Sequence, residues 1–137
     1  MKTFFDSSAF VKRYIVEQGS DKVDDICQTT DKLALCVICI PEIISALNRR
    51  VREKIVSRSD YTTIKGRLLE DARDVEIINL TDEVVAHSML ILEQHPLRAM
   101  DALHIACAQA WKADLFVSAD HDQVRAANRL GLSHKLI

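Results

Sequence analysis

The sequence predicts an α/β protein in three layers, with a central, mostly parallel sheet of four to five strands between layers of helices. Short apolar segments that suit strands alternate with longer segments in which apolar residues recur at helical spacing. Strands that alternate with helices are joined by crossovers, which place the strands parallel and the helices on both faces of the sheet. The 137 residues contain three glycines, two prolines and no linker-like stretch, so we expect residues 1–137 to form a single domain.

In the first half of the chain, the apolar segment from Leu33 to Ile38 is typical of a strand buried on both faces. Pro41 suits the first turn of a helix, where a missing backbone N–H costs nothing. Ser59 or Asp60 suits the N-cap of the next helix, which runs to about Arg73. The predicted order is a strand at 3–5, helices at 7–15 and 21–28, a strand at 33–38, and helices from 41 and from 59 or 60.

In the second half, the segment from Ala99 to Trp111 predicts a helix that is buried nearly all round. Nine of the twelve residues from Met100 to Trp111 are apolar. Gly131 suits the C-cap of the last helix. The predicted order is a strand at 75–78, helices from 81 and at 99–111, a strand at 115–117, a helix at 121–130 and a short strand at 135–137.

Composition excludes several classes of protein. The longest apolar run, Leu33 to Ile40, has eight residues and is too short to span a bilayer. Asp6 interrupts the N-terminal apolar segment before a signal-peptide core forms, so we expect a cytoplasmic protein with reduced cysteines and no membrane association. Lys and Arg total 18 against 20 Asp and Glu, and this net charge of −2 by itself argues against a nucleic-acid binder.

Four acidic residues follow the predicted strands or begin the predicted helices beyond them. Asp6 and Asp120 follow the first and fourth strands, Glu42 follows the second, and Asp101 lies in the first turn of the apolar helix. Ligands of parallel sheets bind beyond the carboxyl ends of the strands, which is where these acids are expected. Each acid is also explained by helix capping and the helix dipole, which favour an acid by about 0.3–1 kcal/mol.

Taken together, the four acids indicate more than capping. Two carboxylates about 4 Å apart repel by roughly 4 kcal/mol at an effective dielectric constant of about 20. Four that converge on one cleft either acquire raised pKa values or need a cation. An all-carboxylate site suits Mg²⁺ or Mn²⁺ and is typical of metal-assisted phosphodiester cleavage.

The four acidic segments together resemble the motifs of PIN-domain proteins, especially the ribonuclease toxins of VapBC toxin–antitoxin pairs. The segments lie in the family order at 5–14 (FDSSAFVKRY), 41–47 (PEIISAL), 97–106 (LRAMDALHIA) and 117–120 (VSAD), the last followed by 126–132 (AANRLGL). The resemblance implies a PIN-like fold and a Mg²⁺- or Mn²⁺-dependent endoribonuclease. It also implies an RNA substrate, a cognate antitoxin as partner and a homodimer. The implied catalytic residues and metal ligands are Asp6, Glu42, Asp101 and Asp120.

Two residues near the fourth motif depart from the family pattern. Asp122 is a second carboxylate that competes with Asp120, which we favour because it lies nearer the end of the strand. Ser118 stands where threonine is common, and its hydroxyl can still bond a neighbouring carboxylate. We expect Ser7, Ser118 and Asp122 to support the ligating acids, with Ser7 beside Asp6.

Cations near the acids are the candidate contacts for RNA or for the antitoxin. We assign this role to Lys12, Arg13 and Arg98 because they are close in sequence to the acidic motifs. A further basic group at the end of the Glu42 helix has two open interpretations, RNA contact or compensation of the helix dipole. That group consists of Arg49, Arg50, Arg52 and Lys54.

The remaining metal-binding residue types favour structural roles. Cys36 and Cys39 have zinc-like spacing but no second pair, so we expect core cysteines that point to opposite faces of a strand. We expect His104, three residues after Asp101, to be a hydrogen-bonded and partly buried histidine.

The main alternative to a ribonuclease is a PIN-fold module that binds RNA or protein without catalysis. Metal-dependent stabilisation distinguishes the enzyme from the binding module.

Overall fold

The computed structural model describes all residues from Met1 to Ile137 and has the predicted three layers. Five strands form one entirely parallel sheet in the order β3-β2-β1-β4-β5. The strands are β1 (Lys2–Phe5), β2 (Lys32–Cys36), β3 (Glu76–Ile78), β4 (Leu115–Ser118) and β5 (His134–Leu136). The helices are α1 (Ser7–Phe10), α2 (Ser20–Thr29), α3 (Cys39–Arg52), α4 (Arg58–Asp74), α5 (Asp82–Gln94), α6 (Ala99–Trp111) and α7 (His121–Arg129).

Alternating side chains of the strands build one core on each face of the sheet, as expected when successive residues of a strand point to opposite faces. Phe4 packs with α5, α6 and α7, whereas the next residue, Phe5, packs with α1 to α4. Cys36 and Cys39 are both fully buried and lie in these two different cores. The prediction of core cysteines is therefore confirmed, although Cys39 begins α3 rather than lying on the strand.

Several predicted boundaries were wrong, and three of them concern the ends of helices. The helix predicted at 7–15 ends at Phe10 and continues as a 3₁₀ turn over Val11–Arg13, after which Tyr14 stacks on Phe10 and donates to Asp71. Helix α3 begins two residues before Pro41, which is tolerated because no N–H of the first turn has a helical partner.

The third wrong boundary is the start of α4. Its N-cap is Ser57, whose Oγ accepts a hydrogen bond from the Asp60 backbone N–H at 3.0 Å. Ser59, which was predicted as a cap, lies inside the helix.

Helix α6, which was expected to be buried nearly all round, is buried over much of its surface but exposes Ala99, Met100 and Ala110. Six of its thirteen residues are buried, and among them is the polar residue His104.

No helix of the structure has the length and apolar character needed to cross a membrane.

Candidate active site

The four predicted acids meet in one cleft at the carboxyl edge of the sheet. Asp6 and Asp120 follow the neighbouring strands β1 and β4, Glu42 lies in the first turn of α3, and Asp101 lies in the first turn of α6. The cleft has a volume of about 640 Å³, and only three of its 17 lining residues are hydrophobic. It is thus a polar, open site suited to a charged ligand.

Asp6 is fully enclosed at the base of the cleft. Its Oδ1 accepts hydrogen bonds from the Ser8 hydroxyl at 2.8 Å and from the Ala9 backbone N–H at 3.0 Å. Its Oδ2 accepts from the Ser118 hydroxyl and from Gln123 Nε2, both at 2.7 Å. Burial nevertheless raises the pKa of Asp6 above its usual value, although the charge of His104 and the hydrogen bonds from Ser118, Ala9 and Ser8 counteract the rise.

Glu42 is held from two sides. Its Oε1 accepts from the Ser7 hydroxyl at 2.7 Å and lies 2.6 Å from His104 Nε2. Burial alone favours a raised pKa for Glu42, but the contacts with His104 and Ser7 lower it below its usual value. Ser7 therefore supports Glu42 and not Asp6, the partner that the sequence suggested, and Ser8 takes the position beside Asp6.

His104 is hydrogen-bonded, as expected, but it is almost completely buried rather than partly buried. Burial disfavours the charged form of His104, yet the contact with Glu42 and the charge of Asp6 raise its pKa. Its Nδ1 atom is buried and has no hydrogen-bond partner. The sequence placed His104 on the same helix as Asp101 but did not reveal that it would orient Glu42.

Asp101 is half-buried and lies among like charges. Its pKa is raised by burial and then by the charges of Asp120 and Glu42, against the lowering effect of Arg98. The Arg98 Nε atom lies 3.7 Å from Asp101 Oδ2, and the rest of its side chain is exposed. The negative charge around Asp101 is therefore only partly compensated within the protein.

The structure distinguishes Asp120 from Asp122. Asp120 lines the cleft and also caps α7, because its Oδ1 accepts from the backbone N–H groups of Asp122 and Gln123. The Asp122 side chain points away, is largely exposed and pairs with Arg125 at 3.2 Å. Capping and cleft placement thus coincide in Asp120 and are not alternatives.

The basic residues divide differently from the sequence-based assignment. Lys12 is engaged by Glu17 and by the Gln18 carbonyl, and Arg13 pairs with Asp71 beside a different depression. Neither residue lines the acidic cleft. The rim is instead formed by four arginines, namely Arg49, Arg50, Arg52 and Arg98.

Two polar residues of the site were missed at the level of sequence. Ser8 and Gln123 both line the cleft and both donate to Asp6. Gln123 is also 3% exposed, although it belongs to a helix of mostly polar residues. Its position three residues after Asp120, one turn along the helix, was the only signal in the sequence.

The four acids do not form a ready-made metal cage. As the side chains stand, no three His, Cys, Asp or Glu groups are placed to hold a single metal ion. The set of acidic oxygens in the cleft and the only partly compensated charge around Asp101 nevertheless fit a hard divalent cation.

The PIN domain family model matches residues 3–129, nearly the whole chain. The chain belongs to the PIN domain family. The four acidic motifs that suggested this family are the ones whose acids line the cleft.

Two curated relatives are the Mycobacterium tuberculosis proteins named ribonuclease VapC45 and ribonuclease VapC49. Each is 28% identical to this PIN domain over 107 residues, which are 78% of this chain and 74% of the relative.

Solved structures show the same fold. Mycobacterium tuberculosis VapC20, described as a sarcin-ricin loop cleaving toxin, aligns with a TM-score of 0.70 at 14% identity over 90% of this chain and 94% of its own. Rickettsia felis VapBC2, bound to a DNA fragment from its promoter, aligns with a TM-score of 0.70 at 14% identity over 100% and 99% of the two chains.

Proposed function

We propose that this PIN domain is a metal-dependent endoribonuclease and the toxin of a VapBC-type toxin–antitoxin pair. The observation that carries the proposal is the convergence of Asp6, Glu42, Asp101 and Asp120 on one polar cleft. The curated relatives named ribonuclease VapC support RNA as the substrate.

We propose Mg²⁺ or Mn²⁺ as the cofactor, held by the same four acids. When bound, such an ion lowers the pKa of water and neutralises charge on the scissile phosphate. The raised pKa of Asp101 supports this assignment, because a cation relieves the repulsion that Asp120 and Glu42 exert on it.

Glu42 is the acid best suited to orient the attacking water. Its lowered pKa keeps it ionised, and its contacts with Ser7 and His104 use only Oε1. Oε2 makes no hydrogen bond within the protein, so it is free to accept one from that water. Ser7 and His104 fix the carboxylate in orientation, as expected for groups that support a catalytic acid.

The acids at the base of the cleft repel RNA, whereas the arginines at its rim attract it. Arg49 and Arg52 are exposed and have no ion-pair partner, whereas Arg50 is paired with Glu17 at 3.5 Å. Phosphate contacts from such groups supply most of the sequence-independent affinity of a nucleic-acid-binding protein. We therefore move the proposed RNA contacts from Lys12 and Arg13 to this rim, and keep Arg98.

A cognate antitoxin and a homodimer complete the proposal. VapBC complexes among the structures of this fold support an antitoxin partner. The outward face of α5 exposes Val85, Met89 and Leu92 at helical spacing, and an apolar face of this kind supports self-association. Light scattering is expected to give twice the chain mass of 15.5 kDa, and a monomer over the full concentration range would contradict the dimer.

The direct test of catalysis uses the complete chain with a structured RNA, with Mn²⁺ or with EDTA. We expect internal cleavage with Mn²⁺, none with EDTA, and a thermal stabilisation that rises with Mn²⁺ concentration. RNA binding without cleavage and without Mn²⁺ stabilisation would favour the alternative of a non-catalytic binding module.

A further inference from the structure

Gln123 is a buried polar side chain that the proposed mechanism does not yet use. It lies on α7 at 3% exposure, and its Nε2 atom is 2.7 Å from Asp6 Oδ2 and 3.1 Å from Asp101 Oδ1. Its backbone N–H also donates to Asp120 Oδ1 at 3.3 Å. One residue thus contacts three of the four acids.

The amide is matched to the two carboxylates that it bridges. An ionised carboxylate only accepts hydrogen bonds, and the amide NH₂ group has two hydrogens, one for each acid. A hydroxyl has only one hydrogen to donate. Asp6 and Asp101 belong to distant parts of the chain, and Gln123 is the only side chain that hydrogen-bonds to both.

The other end of the amide shows that Gln123 does more than fill space. Its Oε1 atom is buried and has no hydrogen-bond partner. A buried acceptor without a donor is destabilising, so Oε1 does not account for an amide at this position. The favourable contribution of the amide lies therefore at the Nε2 end, on Asp6 and Asp101.

We propose that Gln123 is a positioning residue that fixes Asp6 relative to Asp101 for a shared divalent cation. This inference rests on the proposed function, because it assumes that both acids serve one cation. Hydrogen bonds to ligating carboxylates are a general feature of metal sites, and their loss typically lowers metal affinity about 10- to 100-fold.

The test compares Gln123→Met, which keeps length and removes both donors, with Gln123→Glu, which keeps shape and adds a negative charge. Asn128→Met, an exposed amide on the same helix, is the matched control. The Mn²⁺ concentration for half of the maximal thermal stabilisation is measured for each, together with KM and kcat for RNA at several Mn²⁺ concentrations.

For Gln123→Met we expect half-saturation at about tenfold or more higher Mn²⁺. Its kcat should recover at high Mn²⁺, and its KM for RNA should stay within about twofold of the original value. Gln123→Glu should have a lower melting temperature without metal, and a larger rise with Mn²⁺, because a third carboxylate then faces Asp6 and Asp101. Asn128→Met should match the unaltered protein in all of these measurements.

The outcomes separate this inference from the proposed function. An unchanged or lower Mn²⁺ requirement in Gln123→Met would overturn the positioning role while leaving the metal site intact. If Gln123→Met does not fold, an unchanged metal-free melting temperature in Gln123→Glu would overturn it as well. Absence of any Mn²⁺ effect in the unaltered protein would overturn both proposals.

Discussion

At the scale of single residues, Asp6 shows how the chain keeps a charged group inside its core. It is the only Asp or Glu that is fully buried, and four different groups donate hydrogen bonds to its two oxygens. Burying a carboxylate is expensive unless such partners exist. Three of the partners are side chains from β4, α1 and α7, so the tertiary fold provides the site that the acid needs.

His104 and Glu42 give a prediction for the dependence of stability on pH. The folded state raises the pKa of His104, so the stabilisation that it contributes is complete below its unfolded pKa of about 6.5 and is lost as the pH rises through the higher folded value. Glu42 has a lowered pKa, so its contribution is lost as the pH falls through that lowered value.

The variant His104→Gln isolates the histidine contribution. The difference in unfolding free energy between the unaltered protein and His104→Gln should be largest at mildly acidic pH and should shrink as the pH becomes alkaline. Urea denaturation across this range measures it, with His87→Gln as the control. A difference that does not change with pH would contradict the proposed pairing of His104 with Glu42.

The sequence reveals single residues only where a motif or a strand end marks them. The four acids were predicted in this way, and all four line the cleft. Gln123 and the Ser7 contact with Glu42 were not predictable, because they depend on how α7 and α1 pack against distant segments. Lys12 and Arg13 lie outside the cleft because closeness in sequence does not determine the direction of a side chain.

At the scale of helices and strands, the apolar patterns predicted every element, and local chemistry decided the boundaries. The strand at 33–38 and the helix from 41 are both present, but the structure ends β2 at Cys36 and begins α3 at Cys39. A continuous apolar run contains no signal for the point where a buried strand gives way to a buried helix. The short turn that results places Glu42 one turn into α3, within reach of His104.

The N-cap of α4 gives a prediction that distinguishes the structure from the sequence pattern. Ser57→Ala removes the hydrogen bond to the Asp60 N–H and should lower the unfolding free energy by about 0.5–2 kcal/mol. Ser59→Ala, the matched control inside the same helix, should leave the unfolding free energy nearly unchanged. Urea denaturation of both variants measures the unfolding free energies. A larger loss of unfolding free energy in Ser59→Ala than in Ser57→Ala would place the N-cap at Ser59, as the sequence suggested.

At the scale of the whole molecule, the net charge of −2 does not reveal that two groups of opposite charge lie at one cleft. Acids lie at the base, and four arginines form the rim. The overall charge argued against a nucleic-acid partner because composition does not record position. A cation bound by the acids would leave the rim as the dominant charge that RNA meets.

The rim predicts a salt-dependent RNA affinity. In EDTA, which prevents cleavage, Arg49→Ala and Arg52→Ala should each weaken RNA binding. Log affinity falls linearly with the logarithm of the salt concentration. For single-stranded RNA, each variant should make this slope shallower by about 0.7 for every phosphate that it no longer neutralises. Fluorescence anisotropy at several salt concentrations measures this slope, with Lys65→Ala, an exposed cation on α4 away from the cleft, as the control. An equal change of affinity and slope in Lys65→Ala would contradict the assignment of the arginine rim as the RNA contact.

The most direct measurement of the central claim compares cleavage of one RNA, with saturating Mn²⁺, by the unaltered protein, Asp101→Asn and Asp122→Asn. Both changes remove one charge from a carboxylate in the first turn of a helix, but only Asp101 lines the cleft. We expect Asp101→Asn to lose at least about a hundredfold in cleavage rate, the scale typical for removal of one electrostatic group at a reacting centre, and Asp122→Asn to remain within about twofold of the original rate. Full activity in Asp101→Asn would contradict the assignment of this cleft as the active site.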